Sequence, residues 1–272
     1  NERPPLFPLR HQQEDFFVCD LFDAVPKGDM VSMEHPVFTI SQKPDTTVRR
    51  YTSNDGKGWM EITPSVKGLA TVFDRDILIY CTSQLVAALN DGRPIERTLR
   101  LQAHDLLIAT NRMTNGNGYK ALKEALERLS GTRITTNLTT GDIEQLDGFG
   151  LIDRFRIVRE TREGRMQEVE ITLSDWIFNA IESKGVLTYN KKYFRIRSRL
   201  ERRLYEIIRK QCGVNPNGNA ASISCKIWLD RSLIKTSSSA WLKPWSSGML
   251  SNNICLITGF SWRRGQQANR CS

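Results

Sequence analysis

The stretch RMTNGNGYKALKEALERLSGTRITTN, residues 112–137, decides how the rest of the chain is read. Two Asn-Gly pairs, which favour turns, precede a segment whose Tyr119, Leu122, Ala125, Leu126 and Leu129 share one helical face. Lys120, Lys123, Glu124, Glu127 and Arg128 fall on the opposite face. Gly131 stands where a helix C-terminal cap belongs, and the Thr-rich run after it predicts a strand. A helix that starts among glycines and asparagines leaves its first N–H groups uncluttered, which suits an approach to phosphate. Arg112, Asn115, Asn117, Tyr119, Lys120, Lys123 and Arg133 are therefore candidate nucleic-acid contacts. The same segment also reads as an ordinary surface helix, carrying the i,i+4 pairs Lys120 with Glu124, Lys123 with Glu127 and Glu124 with Arg128. Periodicity alone leaves both readings open.

Upstream, residues 1–30 are rich in Pro, Gln and acids and read as an extended arm. VFTI, TTVRRY and WMEIT are β-like, with SNDGKG as a turn between the last two. DRDILIYCTSQLVAAL has helical spacing, Asp74 as N-cap and NDGRP as its stop. IERTLRLQ predicts a strand and AHDLLIAT a short helix. Downstream, TRITTNL and LIDRFRIVRE read as paired strands joined by the Gly-rich loop TTGDIEQLDGFG. QEVEITL is a third strand after a turn at Gly164, and SDWIFNAIES a helix opened by Ser174 that stops at Gly185. Helix, strand, short helix, turn, helix and hairpin is the order of an α+β winged-helix domain. In its hairpin wing, Arg154 and Arg156 face either DNA or cross-strand partners at Glu168 and Glu170.

A second basic element, NKKYFRIRSRLERRLYEIIRK, sets Lys191, Lys192, Arg195, Arg197, Arg199, Arg202, Arg203, Arg209 and Lys210 against only Glu201 and Glu206. Ser198 and Glu201 form an S-x-x-E capping box, and Leu200, Leu204, Ile207 and Ile208 give the helix an apolar face. The cations should then crowd its exposed side. With Tyr193 and Phe194 interleaved, a phosphate-binding surface is expected.

The formal charge of +9 is uneven. Beyond Gly213, seven basic residues face the single acid Asp230, so that segment alone carries +6, and local placement must carry any argument for a polyanionic partner. No GxxxxGK[ST] loop is present, and His11, His35 and His104 form no metal pair. The six cysteines show no CxxC pair, so reduced structural thiols are expected. The longest apolar stretch, residues 77–89, is too short for a bilayer, and the N-terminus lacks the pattern of a secretion signal. The expectation is a cytoplasmic protein without metal, cofactor, membrane contact or catalytic residues. One enzymatic alternative is a nickase using Tyr193 as nucleophile.

MEHPVFTISQKPDTTVRRY, WMEITPSVKGLATVFDRDILIY, DGFGLIDRFRIVRETREGRMQEVEITLSDWIFNAIES and YFRIRSRLERRLYEIIRKQCG closely resemble the plasmid replication initiator protein A family of bacteria. The resemblance runs from about Met33 to Gly213. It implies binding to repeated sites in double-stranded plasmid origin DNA, opening of the duplex and recruitment of host initiator and helicase proteins. A homodimer stays open. It also implies tandem winged-helix domains, a first with extra N-terminal strands (31–185) and the start of a second near Val186 (186–213). Outside these lie the arm (1–30) and an aberrant tail (214–272), where the chain departs from the family's pattern of a continuing second domain. The tail holds eleven serines and four of the six tryptophans and no glutamate, a composition that suggests a shifted reading frame and disorder. A winged-helix transcription repressor is the competing non-enzymatic function.

Overall fold

The computed structural model describes residues 7–11, 19–20, 37–52, 58–140, 143–159, 166–182 and 187–214. In chain order these form β1 (Cys19–Asp20), β2 (Arg49–Thr52), β3 (Trp59–Thr63), α1 (Arg75–Asn90), β4 (Thr98–Gln102), α2 (Ala103–Ala109), α3 (Gly116–Gly131), β5 (Arg133–Thr140), β6 (Ile143–Gly150), β7 (Ile152–Arg159), β8 (Met166–Leu173), α4 (Asp175–Glu182), β9 (Leu187–Thr188), a 3-10 turn (Lys191–Arg195) and α5 (Arg199–Val214).

The apolar alternation of β8 sets the central sheet. Val169, Ile171 and Leu173 point into the core, while Glu168, Glu170 and Thr172 point out. β8 lies between β4 and β7 and pairs antiparallel with both. Leu99, Ile171 and Phe155 therefore sit in one cross-strand row, and Arg100, Glu170 and Arg156 in the adjacent outward row. α1 is buried on most of its surface. Ile77, Leu78, Cys81 and Leu85 enter the main core with Leu122, Leu126 and Leu129 of α3, whereas Ile79 points the other way, into a second cluster with Tyr189, Tyr193, Phe194, Ile196 and Tyr205. α1 is thus shared by both clusters.

The expected order of helix, strand, short helix, helix and hairpin is present, but the hairpin differs. TTGDIEQLDGFG does not form a loop between paired strands: its last eight residues are β6, which pairs with β5 along eight residues, and both join β2 and β3 in a four-stranded sheet of order β2-β3-β5-β6. The partner of LIDRFRIVRE is β8 instead. The glycines misled the reading because they give no side chain to mark a strand period: Gly148 lies beside the Arg133 and Thr135 side chains, and Gly150 where a Cβ would come within 3.0 Å of the Ile152 carbonyl oxygen.

Asp74 also departs from its expected role. Its carboxylate makes no cap to α1; it accepts from Thr71 N at 2.8 Å, while Thr71 Oγ1 accepts from Asp74 N at 3.3 Å, a reciprocal box one turn earlier. VFTI contributes a single bridge, Thr39 with Thr71, rather than a strand. Two pieces of the N-terminal arm are held: β1 pairs with β9, and residues 7–11 lie against Asn111, Arg112 and Arg195. SNDGKG, the turn at Gly164, the stop at Gly185 and the tail (214–272) fall largely or wholly outside the described residues.

Candidate nucleic-acid interface

Of the two glycines in the first turn of α3, Gly118 is there for close packing, whereas a Cβ on Gly116 would meet nothing within 4 Å. Gly118 is buried, and a Cβ on it would lie 1.7 Å from the Met113 carbonyl oxygen, so the first turn of α3 can close over Met113 only without a side chain. Asn115 turns back as N-cap, its Oδ1 accepting from Gly118 N at 3.1 Å. That satisfies one of the N–H groups expected to stay free, and it commits the Asn115 amide to the helix. Tyr119 is half-buried against the core. Asn117, Lys120 and Lys123 remain exposed on the first two turns. Lys123 stands 3.7 Å from Glu127, whose carboxyl is held below its ordinary range chiefly by a hydrogen bond from Lys67. Lys120 has no ion-pair partner among the described residues. Arg133, just past α3, is exposed and donates to the Gly148 carbonyl at 3.1 Å.

The β7–β8 hairpin follows the α3 and β5–β6 segment and contacts α3 through β7. Arg154 and Arg156 are exposed on β7. Arg156 is opposite Glu170 in register, but Glu170 accepts from Arg100 Nε at 3.2 Å and Glu168 from Gln102 at 3.1 Å. Among the described residues neither Arg154 nor Arg156 has an ion-pair partner, so the cross-strand pairing considered for them is not made. Arg97, on the far side of the same sheet, is bound to Asp153 and Asp175.

The second basic element turns its central arginine inward, while Arg195, Arg197, Arg199 and Arg203 are half-buried. Arg202 is 1% exposed. Its Nη1 lies 2.5 Å from Asp76 Oδ1, its Nε and Nη2 donate to the Ile196 and Phe194 carbonyls at 3.0 Å each, and its guanidinium sits over the rings of Phe73 and Tyr193. Glu206, fully buried, accepts from Arg75 Nη1 at 2.6 Å, from the Tyr193 hydroxyl at 2.7 Å and from Arg203 Nη1 at 3.3 Å. Arg199 lies over Phe73, Arg197 over Phe7, and Arg195 Nε donates to the Phe7 carbonyl. Lys192 alone of the candidates here is plainly exposed; the Lys191 side chain lies outside the described residues, as do those of Arg209 and Lys210. Tyr193 and Phe194 belong to the aromatic cluster rather than to a stacking surface. The capping box holds in part, with Ser198 Oγ accepting from Glu201 N at 3.3 Å.

Arg112, expected at the interface, also turns inward. It donates to the Phe73 carbonyl and stands 3.9 Å from Asp76. Burial pushes the Asp76 carboxyl up and the Arg112 guanidinium down, each opposed by the attraction between opposite charges in the cluster. Arg128, from the last turns of α3, grips Asp74 through two hydrogen bonds of 2.7 and 2.8 Å, and those bonds hold its proton more tightly than usual. Asp74, Asp76 and Glu206 thus join α1, α3 and α5 in one network. Sequence reasoning missed it because the acids lie up to 131 residues from their partners. Two acids bracketing an arginine in FDRDI, at the head of an otherwise apolar helix, are the one local signal. Tyr193 is fully buried and donates its proton to Glu206; burial raises its pKa well above that of a free tyrosine, and DNA has no approach to it.

The profile of the family Replication initiator protein A matches residues 27–238. The chain belongs to this family. A curated protein of Wigglesworthia glossinidia brevipalpis described as "Putative replication protein" is 34% identical over 235 residues, covering 85% of this chain and 82% of that one. Among solved structures, domains 2-3 of RctB align at a TM-score of 0.56 and 13% identity over 86% of this chain and 84% of that one. A second crystal structure of RctB domains 2 and 3 aligns at 0.50 and 15% identity, over 64% and 70%. The mixed helix-and-sheet fold is therefore that of RctB domains 2-3. The initiator family match extends past Gly213 and takes in the first part of the tail. No helix among the described residues is long and apolar enough to cross a membrane.

Proposed function

We propose that this initiator binds repeated double-stranded sites at a plasmid origin through a winged helix, with α3 as recognition helix and the β7–β8 hairpin as wing. The carrying observation is topological. β4 lies between α1 and α2 in sequence and closes the sheet against β8, the wing's second strand, while Asn117, Lys120 and Lys123 stay exposed on the first turns of α3. In such a domain the start of the recognition helix meets base edges in the major groove, and flanking cations meet phosphate. Arg154 and Arg156 fit the flanking role, being exposed and unpaired among the described residues. α5 opens a second domain in this reading, and the two-domain coverage of the RctB match supports that. Origin opening and recruitment of host initiator and helicase proteins belong to the same proposal, which involves no catalytic residue. The test is a footprint of the purified chain on plasmid DNA flanking its gene. Protection of evenly spaced repeats is expected; protection of a promoter alone would point to a repressor instead.

A further inference from the structure

The turn ahead of α3 contains the one non-glycine residue with positive φ among the described residues, Asn111, at 54°. Asn tolerates this left-handed backbone better than most residues, but the position is uncommon and is held in place here by specific bonds. Asn111 is 3% exposed, and its side-chain amide grips a passing strand as a neighbouring β-strand would. Oδ1 accepts from Arg10 N at 2.9 Å and Nδ2 donates to the Pro8 carbonyl at 3.2 Å, one bond on each side of Leu9. The Asn111 carbonyl accepts from Arg10 Nη1 at 3.0 Å, and the Arg112 carbonyl from the His11 ring at 2.8 Å.

The other half of the contact is on the linker before α5. Phe7 N donates to the Arg195 carbonyl at 2.7 Å, and Arg195 Nε donates back to the Phe7 carbonyl at 2.9 Å. The Phe7 ring is covered by two guanidiniums, Arg197 at 4.5 Å and Arg10 at 5.0 Å from its centroid. The sequence suits an extended ligand. Pro8 fixes its own φ and biases Phe7 toward extended backbone, which lowers the entropy lost on docking.

We propose that the turn before α3 and the linker before α5 form a built binding site for an extended peptide, and that its occupant is the chain's own residues 7–11. The segment is a strap: Asn111 and Arg195 hold its two ends, and while it is seated the start of the recognition helix and the start of α5 keep one relative position. The inference concerns this contact alone and stands whether or not α3 reads DNA.

Two measurements on the full-length chain test it. Trypsin release of residues 1–10, followed by mass spectrometry, reports seating, because cleavage after Arg10 needs the strap lifted and the bond after Arg3 is blocked by Pro4. In the wild type, release is expected to be far slower than from a synthetic peptide of residues 1–15. Asn111→Gly keeps the left-handed backbone free of strain and deletes both amide bonds, so release should accelerate about thirtyfold for two neutral hydrogen bonds. Amide hydrogen exchange in the unmodified chain supplies a readout independent of that variant's folding: the Phe7 and Arg10 N–H groups should be protected. Wild-type release at the free-peptide rate, unprotected Phe7 and Arg10 amides, or an unchanged rate in a folded Asn111→Gly chain would each overturn the strap.

Discussion

Replacing Arg202 by Ala tests the inward turn of the second basic element. The substitution strands the Asp76 carboxylate, which is 2% exposed at its side chain and, among the described residues, keeps only the Arg112 cation, at 3.9 Å. It also removes the donors to two buried carbonyls, those of Phe194 and Ile196. Breaking one side of a buried ion pair costs about 3–5 kcal/mol, and each orphaned carbonyl roughly 1–3 more before water relieves it. These terms overlap, and a net loss of about 4 kcal/mol or more is expected, a large share of the ~5–15 kcal/mol that holds a domain together. At about 2–4 °C per kcal/mol for a chain of this size, the thermal midpoint should fall by roughly 8–16 °C. Circular dichroism melts of the full chain give this directly. A double-mutant cycle with Asp76→Ala should show the two losses to be strongly sub-additive. If Arg202→Ala lowers the midpoint by less than about 2 °C while weakening DNA binding, the residue is a surface cation and the buried network is wrong.

Asp74→Asn, which leaves Arg128 without its bidentate carboxylate, should cost about 1–3 kcal/mol in urea unfolding, whereas Lys120→Ala should change stability by less than about 0.5 kcal/mol. Cys81 is fully buried and its thiol is pushed up to about 12 by burial, so mass spectrometry of the native chain treated with iodoacetamide at pH 8 should find the Cys81 peptide unmodified, and modified after denaturation. The sign of its pH effect follows. The unfolded thiol ionises near ~8.5 and the folded one only far above, so its stabilising contribution is complete below the lower value and declines as pH rises past it; Cys81→Ala should flatten that alkaline decline in melts. Replacing Arg154 and Arg156 with Ala should reduce the log-log salt slope of duplex binding by roughly 0.9 per lost phosphate contact without moving the melt.

Local periodicity carried most of the helical reading, because the helices bury one stripe or all of their surface and the leucines of α3 fall on the face they are spaced for. Strand β8 was legible from its alternation for the same reason. The β5–β6 hairpin was not, since β6 has glycines at two of its eight positions and polar residues at three more, which leaves no apolar period to read. The charge run of residues 190–210 was legible as a helix with a cap, but the burial of Arg202 and Glu206 within it was not. Local sequence shows where arginines lie, and only tertiary contact shows that Asp76 and Glu206 wait for them. The partners of Asn115 and Arg112 were illegible for a related reason: polar residues next to a helix start serve the backbone or a buried acid as readily as a ligand.

The central claim is that the exposed first turns of α3 read bases. Binding of full-length Asn117→Ala/Lys120→Ala to an origin repeat and to a scrambled duplex of equal length, at one salt concentration, tests it most directly. The account predicts a loss of about 1–3 kcal/mol per base contact on the repeat and a much smaller loss on the scrambled duplex, so the discrimination ratio collapses while the melting midpoint holds. An unchanged ratio in the folded variant would contradict it and leave α3 as scaffold.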